Sequence, residues 1–284
     1  MEFDPIKYKE AIRAEWQKTA EGWHRWIPFV SQWLGPATEL MLDLAAIEPG
    51  DHVLDLAAGD GDQTLAAARR VGPTGYVLAT DIAPNLVAFA AQSARGSGLE
   101  NVEARVMDGE NLELEDASFD AVISRLGLMY FPNLQRSLRG IRRVLKPGGR
   151  VSVIVFSTPE RCPFFSVPVS IIRRHAQLPS PSPGQPGPFS LGAPGVLGAA
   201  LREGGFKDVE TRLFSAPVRM ASGAECLRWR EESSGTLQEM LAGLDDSKRQ
   251  DIWEEIGLEF KKFEGTDGFE SPCELVVAVG VNEE

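Results

Sequence analysis

The chain has 284 residues, 43% of them hydrophobic and 25% charged, the composition of a globular protein large enough to need no disulfide or metal staple. Its formal charge of −12 repels phosphate backbones and anionic headgroups, which argues against nucleic acid as a partner. The three cysteines, Cys162, Cys226 and Cys273, lie far apart and match no metal-ligand spacing. Free thiols in a reducing cytoplasm are the expectation. The N-terminus is too charged for a signal peptide, and no apolar run reaches the ~20 residues that span a bilayer.

In chain order, residues 4–46 read as helices. Asp4 followed by Pro5 is a start signal, and Ile12, Trp16 and Ala20 repeat at four-residue spacing. Trp16, Trp23, Trp26 and Trp33 all fall here, and Pro28 and Gly35-Pro36 punctuate the segment. From His52 the pattern alternates. Short apolar runs at 52–58, 76–81, 102–108, 119–125 and 150–156 read as strands, and 63–71, 85–95 and 134–145 as helices. This order predicts an α/β fold, a mostly parallel sheet covered by helices on both faces. Beyond Phe156 a Pro/Gly/Ser segment, 179–188, fits neither a helix interior nor a central strand and is a candidate mobile lid. A helix at 195–204 and strands at 208–214 and 274–281 follow, with helical periodicity over 224–263. The layout predicts an N-terminal helical cap over 1–46. A domain over 47–284 follows, with cap insertions at about 159–190 and 222–265.

The strongest local signal is the strand Val53–Leu56 running into Ala57, Ala58, Gly59, Asp60, Gly61 and Asp62. Glycines at alternate positions allow a sharp turn and close backbone approach to a ligand. In open parallel sheets, ligands sit outside the carboxyl ends of the strands. Thr64 stands where a dinucleotide fingerprint places its third glycine, and Asp60 and Asp62 are unwelcome beside a pyrophosphate. A cofactor that is cationic and free of phosphate suits the acidic turn. Asp81, 20 residues beyond Gly61, can accept from both ribose hydroxyls, or simply cap the helix that begins near Pro84. Asp108-Gly109 can receive an adenine amino group, or form an ordinary turn.

The segments DLAAGDGDQT (55–64), ATDIAPNLV (79–87), VMDGENLEL (106–114), FDAVISRLGLMYF (119–131) and RVLKPGGR (143–150) form an ordered set. The set resembles the motifs of the ubiquinone/menaquinone-type C-methyltransferases, within the class I S-adenosylmethionine-dependent group. The resemblance covers roughly residues 16–156. It implies a Rossmann-like seven-stranded sheet with an antiparallel last strand, and S-adenosyl-L-methionine as cofactor. Carried over, the cofactor positions are Asp55, Ala57, Gly59, Gly61 and Thr64 in the first motif, Asp81 and Ile82 in the second, Asp108 and Gly109 in the third, and Arg125 after the fourth strand. Two departures stand out. Ala57 replaces a glycine usual in class I enzymes, as it also does in the quinone-type branch. Arg125 replaces a serine common in that branch. Its guanidinium can grip the methionyl carboxylate or an anionic acceptor, or pair with Asp60 or Asp62.

Methyl transfer from a sulfonium needs position and desolvation before it needs a base. If the acceptor must lose a proton, His24, His175 and Tyr130 are the candidate catalytic groups, and no metal cluster is visible. The N-terminal tryptophans fall on the segment expected to cover the crevice, and apolar pockets are lined this way. The expectation is methylation of a small, largely apolar molecule, quinol-like, aromatic or lipophilic, by a cytoplasmic monomer or homodimer. A non-catalytic S-adenosylmethionine binder is the alternative, and a nicotinamide oxidoreductase a more distant one.

Overall fold

The computed structural model describes residues 3–180 and 185–283. Helix α1 (Pro5–Arg25) starts where the sequence says it should. Asp4 accepts from the backbone amides of Ile6 and Lys7 at 3.0 and 3.2 Å, with Pro5 in the first turn. Helix α2 (Ile27–Leu44) runs straight through Gly35-Pro36, which had read as a break. Its inner face, with Trp33, Leu34, Ala37, Met41 and Leu42 buried, gains more from packing than the lost proline hydrogen bond costs.

The core is one sheet of seven strands: β1 (His52–Leu56), β2 (Tyr76–Asp81), β3 (Val102–Val106), β4 (Phe119–Arg125), β5 (Leu145–Phe156), β6 (Lys207–Ser215) and a last strand, β10 (Glu274–Val281). Their spatial order is β3-β2-β1-β4-β5-β10-β6. β10 is antiparallel to both its neighbours, and the other pairings are parallel. The expected Rossmann-like sheet with an antiparallel last strand is therefore present. Strands β1 and β4 and the second half of β5 are buried almost throughout because helices cover both faces. Those helices are α3 (Asp62–Val71), α4 (Pro84–Gly96), α5 (Leu134–Val144) and, further on, α7 (Val196–Glu203).

The remaining elements lie over the carboxyl edge. Helix α6 (Pro163–His175) follows β5. The sequence reading placed a cap insertion at about 159–190 without assigning a helix here; Pro163 sits in the first turn and Pro168 is buried inside the helix. Helices α8 (Gly223–Ser233), α9 (Gly235–Leu241) and α10 (Asp246–Phe260) fill the stretch that showed helical periodicity. A small second sheet was not anticipated: β7 (Val218–Met220), β8 (Glu264–Gly265) and β9 (Gly268–Ser271), in the order β7-β9-β8. The Pro/Gly/Ser segment lies in part outside the described residues, which omit 181–184.

Aromatic rings bind the cap together. Trp229, fully buried on α8, meets Phe164 at 5.3 Å, Phe29 at 4.8 Å and Trp33 at 5.8 Å. Contacts of this kind contribute about 0.5–1.5 kcal/mol each beyond burial. The Trp33 indole donates to the Ala216 carbonyl at 2.7 Å, fixing α2 to the chain between β6 and β7. At Gly22, a Cβ would lie 2.1 Å from the Glu232 carbonyl oxygen, so only glycine lets α1 approach α8 this closely. Cys162, Cys226 and Cys273 are buried free thiols.

Candidate functional site

The carboxyl ends of β1, β2 and β4, and the loop after β3, open into one cavity of about 230 Å³. Ala57 and Gly59 border it from the turn after β1. Asp81 and Ile82 border it from the end of β2, Asp108 and Gly109 from beyond β3, and Arg125 from the end of β4. This is the crevice expected of an open α/β sheet. The opposite end is roofed by α1, α6, α8 and α9 through Trp16, Trp23, Phe165, Val169, Arg230 and Leu237. Cofactor-type motifs and tryptophan-rich cap thus face the same space.

Asp81 is the best placed carboxylate. One oxygen accepts from the Gly59 amide at 3.0 Å and the other from the Ala83 amide at 2.9 Å. It therefore both caps its own turn and pins the glycine turn of β1. Each oxygen keeps a second lone pair for a hydroxyl donor. Burial pushes its carboxyl up, against the pull of those backbone donors. Asp108 accepts from the Glu110 amide at 2.9 Å, and Lys9 of α1 reaches down to Asp108 at 2.8 Å and to Glu110.

Three of the anticipated cofactor residues support the crevice from behind, without lining the cavity. Asp55 is fully buried, accepting from Thr64 at 2.5 Å and Gln63 at 3.2 Å. Burial raises it to about 7. Thr64 is its hydroxyl donor. Gly61 has φ +88°, and a Cβ there would stand 2.9 Å from the Ala90 Cβ, so this glycine admits α4 against the turn. Ala57 adopts φ +56° and Leu126 φ +60°, left-handed conformations that non-glycine residues adopt at a cost and that cluster at functional sites.

Arg125 pairs with Asp62 at 2.7 Å and donates to the Thr38 hydroxyl at 2.8 Å. The other Asp62 oxygen takes the Ser31 hydroxyl. Of the readings open for Arg125, the structure has the pairing with Asp62. Asp60 is left with one carboxylate oxygen buried and without a hydrogen-bond partner. Burial raises its carboxyl to about 6, opposed by the nearby Arg125 charge.

The candidate catalytic groups separate. Tyr130 lines the cavity, edge-on to Trp16 with ring centroids 5.8 Å apart. Burial pushes its phenol up, so it keeps its proton near neutrality and is a hydrogen-bond donor there, not a base. His24 is not among the lining residues; it stacks on Phe89 of α4 at 4.2 Å. His175 ends α6 and meets Glu255 of α10 at 2.7 Å, outside the cavity. Sequence reasoning missed Lys9, Glu15 and Arg230, which line the cavity from α1 and α8. Their spacing carries no motif, and only tertiary packing brings them to the sheet edge. Among the described residues, no group of three or more His, Cys, Asp and Glu is arranged to hold a metal. No helix there is long and apolar enough to cross a membrane.

The residues present fit S-adenosylmethionine. The orphaned Asp60 oxygen is an acceptor beside which a cation is welcome, and Asp81 offers free lone pairs suited to ribose hydroxyls. Comparison with known proteins agrees. Residues 47–178 match the family model of a methyltransferase domain. The ubiquinone/menaquinone biosynthesis C-methyltransferase UbiE of Hydrogenovibrio crunogenus is 41% identical over 117 residues, 41% of this chain and 46% of that protein. The 2-phytyl-1,4-naphtoquinone methyltransferase of Trichormus variabilis is 38% identical over 130 residues, 44% of this chain and 56% of that protein. The matches thus span about half the length of these curated relatives. At the level of fold, the YcgJ protein from Bacillus subtilis superposes with a TM-score of 0.59 at 19% identity, over 88% of this chain and 99% of that one. Phosphoethanolamine N-methyltransferase 2 of Haemonchus contortus, solved with S-adenosyl-L-methionine, gives 0.57 at 18% identity, over 92% of this chain and 57% of that one. The sheet order, the acidic crevice at its carboxyl edge and the matched segment agree: residues 47–178 of this chain are similar to a methyltransferase domain, within a sheet of the methyltransferase type.

Proposed function

We propose that this protein is an S-adenosylmethionine-dependent methyltransferase whose acceptor is a small, largely apolar molecule. The observation that carries the reading is the continuity of one cavity from Asp81 and Asp108 to the aromatic roof of α1, α6 and α8. In this reading Ala57, Gly59, Asp81, Ile82, Asp108 and Gly109 hold the cofactor. Asp55, Thr64 and Gly61 set the shape of the turn behind it, and Arg125 anchors α2 over the crevice.

When bound, S-adenosylmethionine supplies a methyl group already activated on a sulfonium. The chain's own contribution is to align the acceptor and keep water out, which can lower a barrier by several kcal/mol. Trp16, Trp23, Phe156 and Phe165 supply the dry walls. Tyr130, held protonated by burial, donates a hydrogen bond and so orients an acceptor oxygen. Quinone-type acceptors are compatible with this chamber, as the names of the two curated relatives indicate for those proteins.

The test is transfer of labelled methyl from S-adenosylmethionine into a cell extract, separated into protein, nucleic-acid, organic-soluble and water-soluble pools. Label in the organic-soluble pool, lost with Asp81→Ala, is the expected result. Label confined to protein, nucleic acid or highly polar metabolites would overturn it.

A further inference from the structure

Arg230 is the one cavity-lining cation whose charge no protein group answers among the described residues. It is 7% exposed and borders the chamber from α8. Its Nε is buried without a hydrogen-bond partner, and none of the ion pairs among the described residues includes it. The other cations on the cavity are answered: Lys9 by Asp108 and Glu110, Arg125 by Asp62. Glu15, which also lines the cavity, takes the amide and hydroxyl of Thr236 on one oxygen and forms no ion pair with Arg230 among the described residues.

What surrounds the Arg230 guanidinium is aromatic. Its central carbon stands 5.0 Å from the Phe165 ring centre and 5.7 Å from that of Phe164. Such faces attract a cation but leave its in-plane N–H donors unused. A guanidinium buried this deeply, with donors unmet, loses hydration that the fold does not replace. Burial lowers its ionisation only to about 10, so it is charged at neutral pH.

We propose that the apolar acceptor carries one acidic oxygen group, a carboxylate or a comparable oxyanion, which the Arg230 guanidinium receives inside the aromatic chamber. The inference rests on the reading of this cavity as an acceptor chamber. It narrows the substrate class to a lipophilic or aromatic body bearing a single anionic oxygen centre. The fork of N–H donors matches a carboxylate edge-on, and the surrounding rings exclude the water that would otherwise weaken the pair. Arg230 thereby selects among apolar molecules of similar shape, rejecting those that would leave the charge buried and unmet.

The test uses the full chain and two probes of one shape, 2-naphthoate and its neutral amide, 2-naphthamide. Binding is measured calorimetrically with and without S-adenosylhomocysteine. The wild-type protein is expected to favour the carboxylate by at least about ten-fold, the effect of one charge-assisted hydrogen bond. Arg230→Met erases that preference, and Arg230→Lys retains part of it. Arg230→Met is expected to melt at or above the wild-type temperature, because it removes an unanswered buried charge, and to bind S-adenosylhomocysteine unchanged. Equal binding of the two probes by the wild type, binding of neither at millimolar concentration, or a preference that survives in Arg230→Met would overturn the proposal. Failure to bind S-adenosylhomocysteine would instead overturn the methyltransferase reading. The probe comparison made without it still decides the role of Arg230.

Discussion

At the residue scale, charged side chains under the cap divide into those that hold the structure and those that await a ligand. Arg125, Asp62, Thr38 and Ser31 form a closed network between α2, α3 and the end of β4. Removing one partner of such a pair strands the other charge, so Arg125→Met is expected to destabilise the protein by about 3 kcal/mol, read from urea unfolding. Retained wild-type stability in that variant would contradict the anchoring role. Asp60 belongs to the second group. Its folded value of about 6 lies above the reference 3.8. Its contribution to stability is therefore complete below pH 3.8 and is lost as pH rises through about 6. A cation bound beside it favours the ionised form, so cofactor affinity is expected to rise between about pH 5 and pH 7. Asp60→Asn is expected to flatten both trends; a pH profile of affinity identical to wild type would argue against any contact with the cofactor's charge. The glycine turn, Asp81 and Asp108 were legible in the sequence because each sits at a fixed place after a strand. The partner of Arg125 was left between alternatives, since the choice depends on where α2 lies. Asp55 and Thr64 were read as cofactor residues but pair with one another behind the crevice.

At the scale of elements, the N-terminal helices make the site. Helix α1 contributes Lys9 to the Asp108 end and Trp16 and Trp23 to the roof, and it meets α8 at Gly22 without room for a Cβ. Gly22→Ala is expected to push the two helices apart. The strain should cost about 1–3 kcal/mol and speed amide hydrogen exchange in α1 while the sheet strands keep their protection. Unchanged exchange in α1 would show that the cap does not depend on this approach. The sequence revealed α1 and the strand-helix alternation clearly, since Asp4-Pro5 and the short apolar runs are local signals. It failed where tertiary packing overruled local chemistry. Pro36 and Pro168 sit inside α2 and α6, held there by buried apolar faces that no local rule weighs. The strands of the second sheet, two to four residues long, are too brief for periodicity to register.

At the scale of the molecule, the fold divides labour. A sheet and helix framework built from segments 52–156 presents the crevice, and residues that follow β5 return over it as α6, α8 and α9. The framework could be read from the sequence because its motifs recur in fixed order. The acceptor end could not, because Arg230, Phe165 and Trp23 come from three distant segments with no shared spacing. The charge of the whole chain, −12, favours a cationic cofactor, and the proposed anionic acceptor would be drawn against that charge by the local field of the Arg230 guanidinium.

The most direct measurement is a calorimetric titration of the purified protein with S-adenosylhomocysteine, alongside Asp81→Ala and a parallel titration with NAD. The account predicts one-site binding by the wild type, with unfolding stability raised by about 2.7 kcal/mol at 100 times Kd. Asp81→Ala should weaken binding by about 100-fold, since two hydrogen bonds to a carboxylate are lost, and NAD should give no heat. Binding of NAD in place of S-adenosylhomocysteine, or binding indifferent to Asp81, would contradict it.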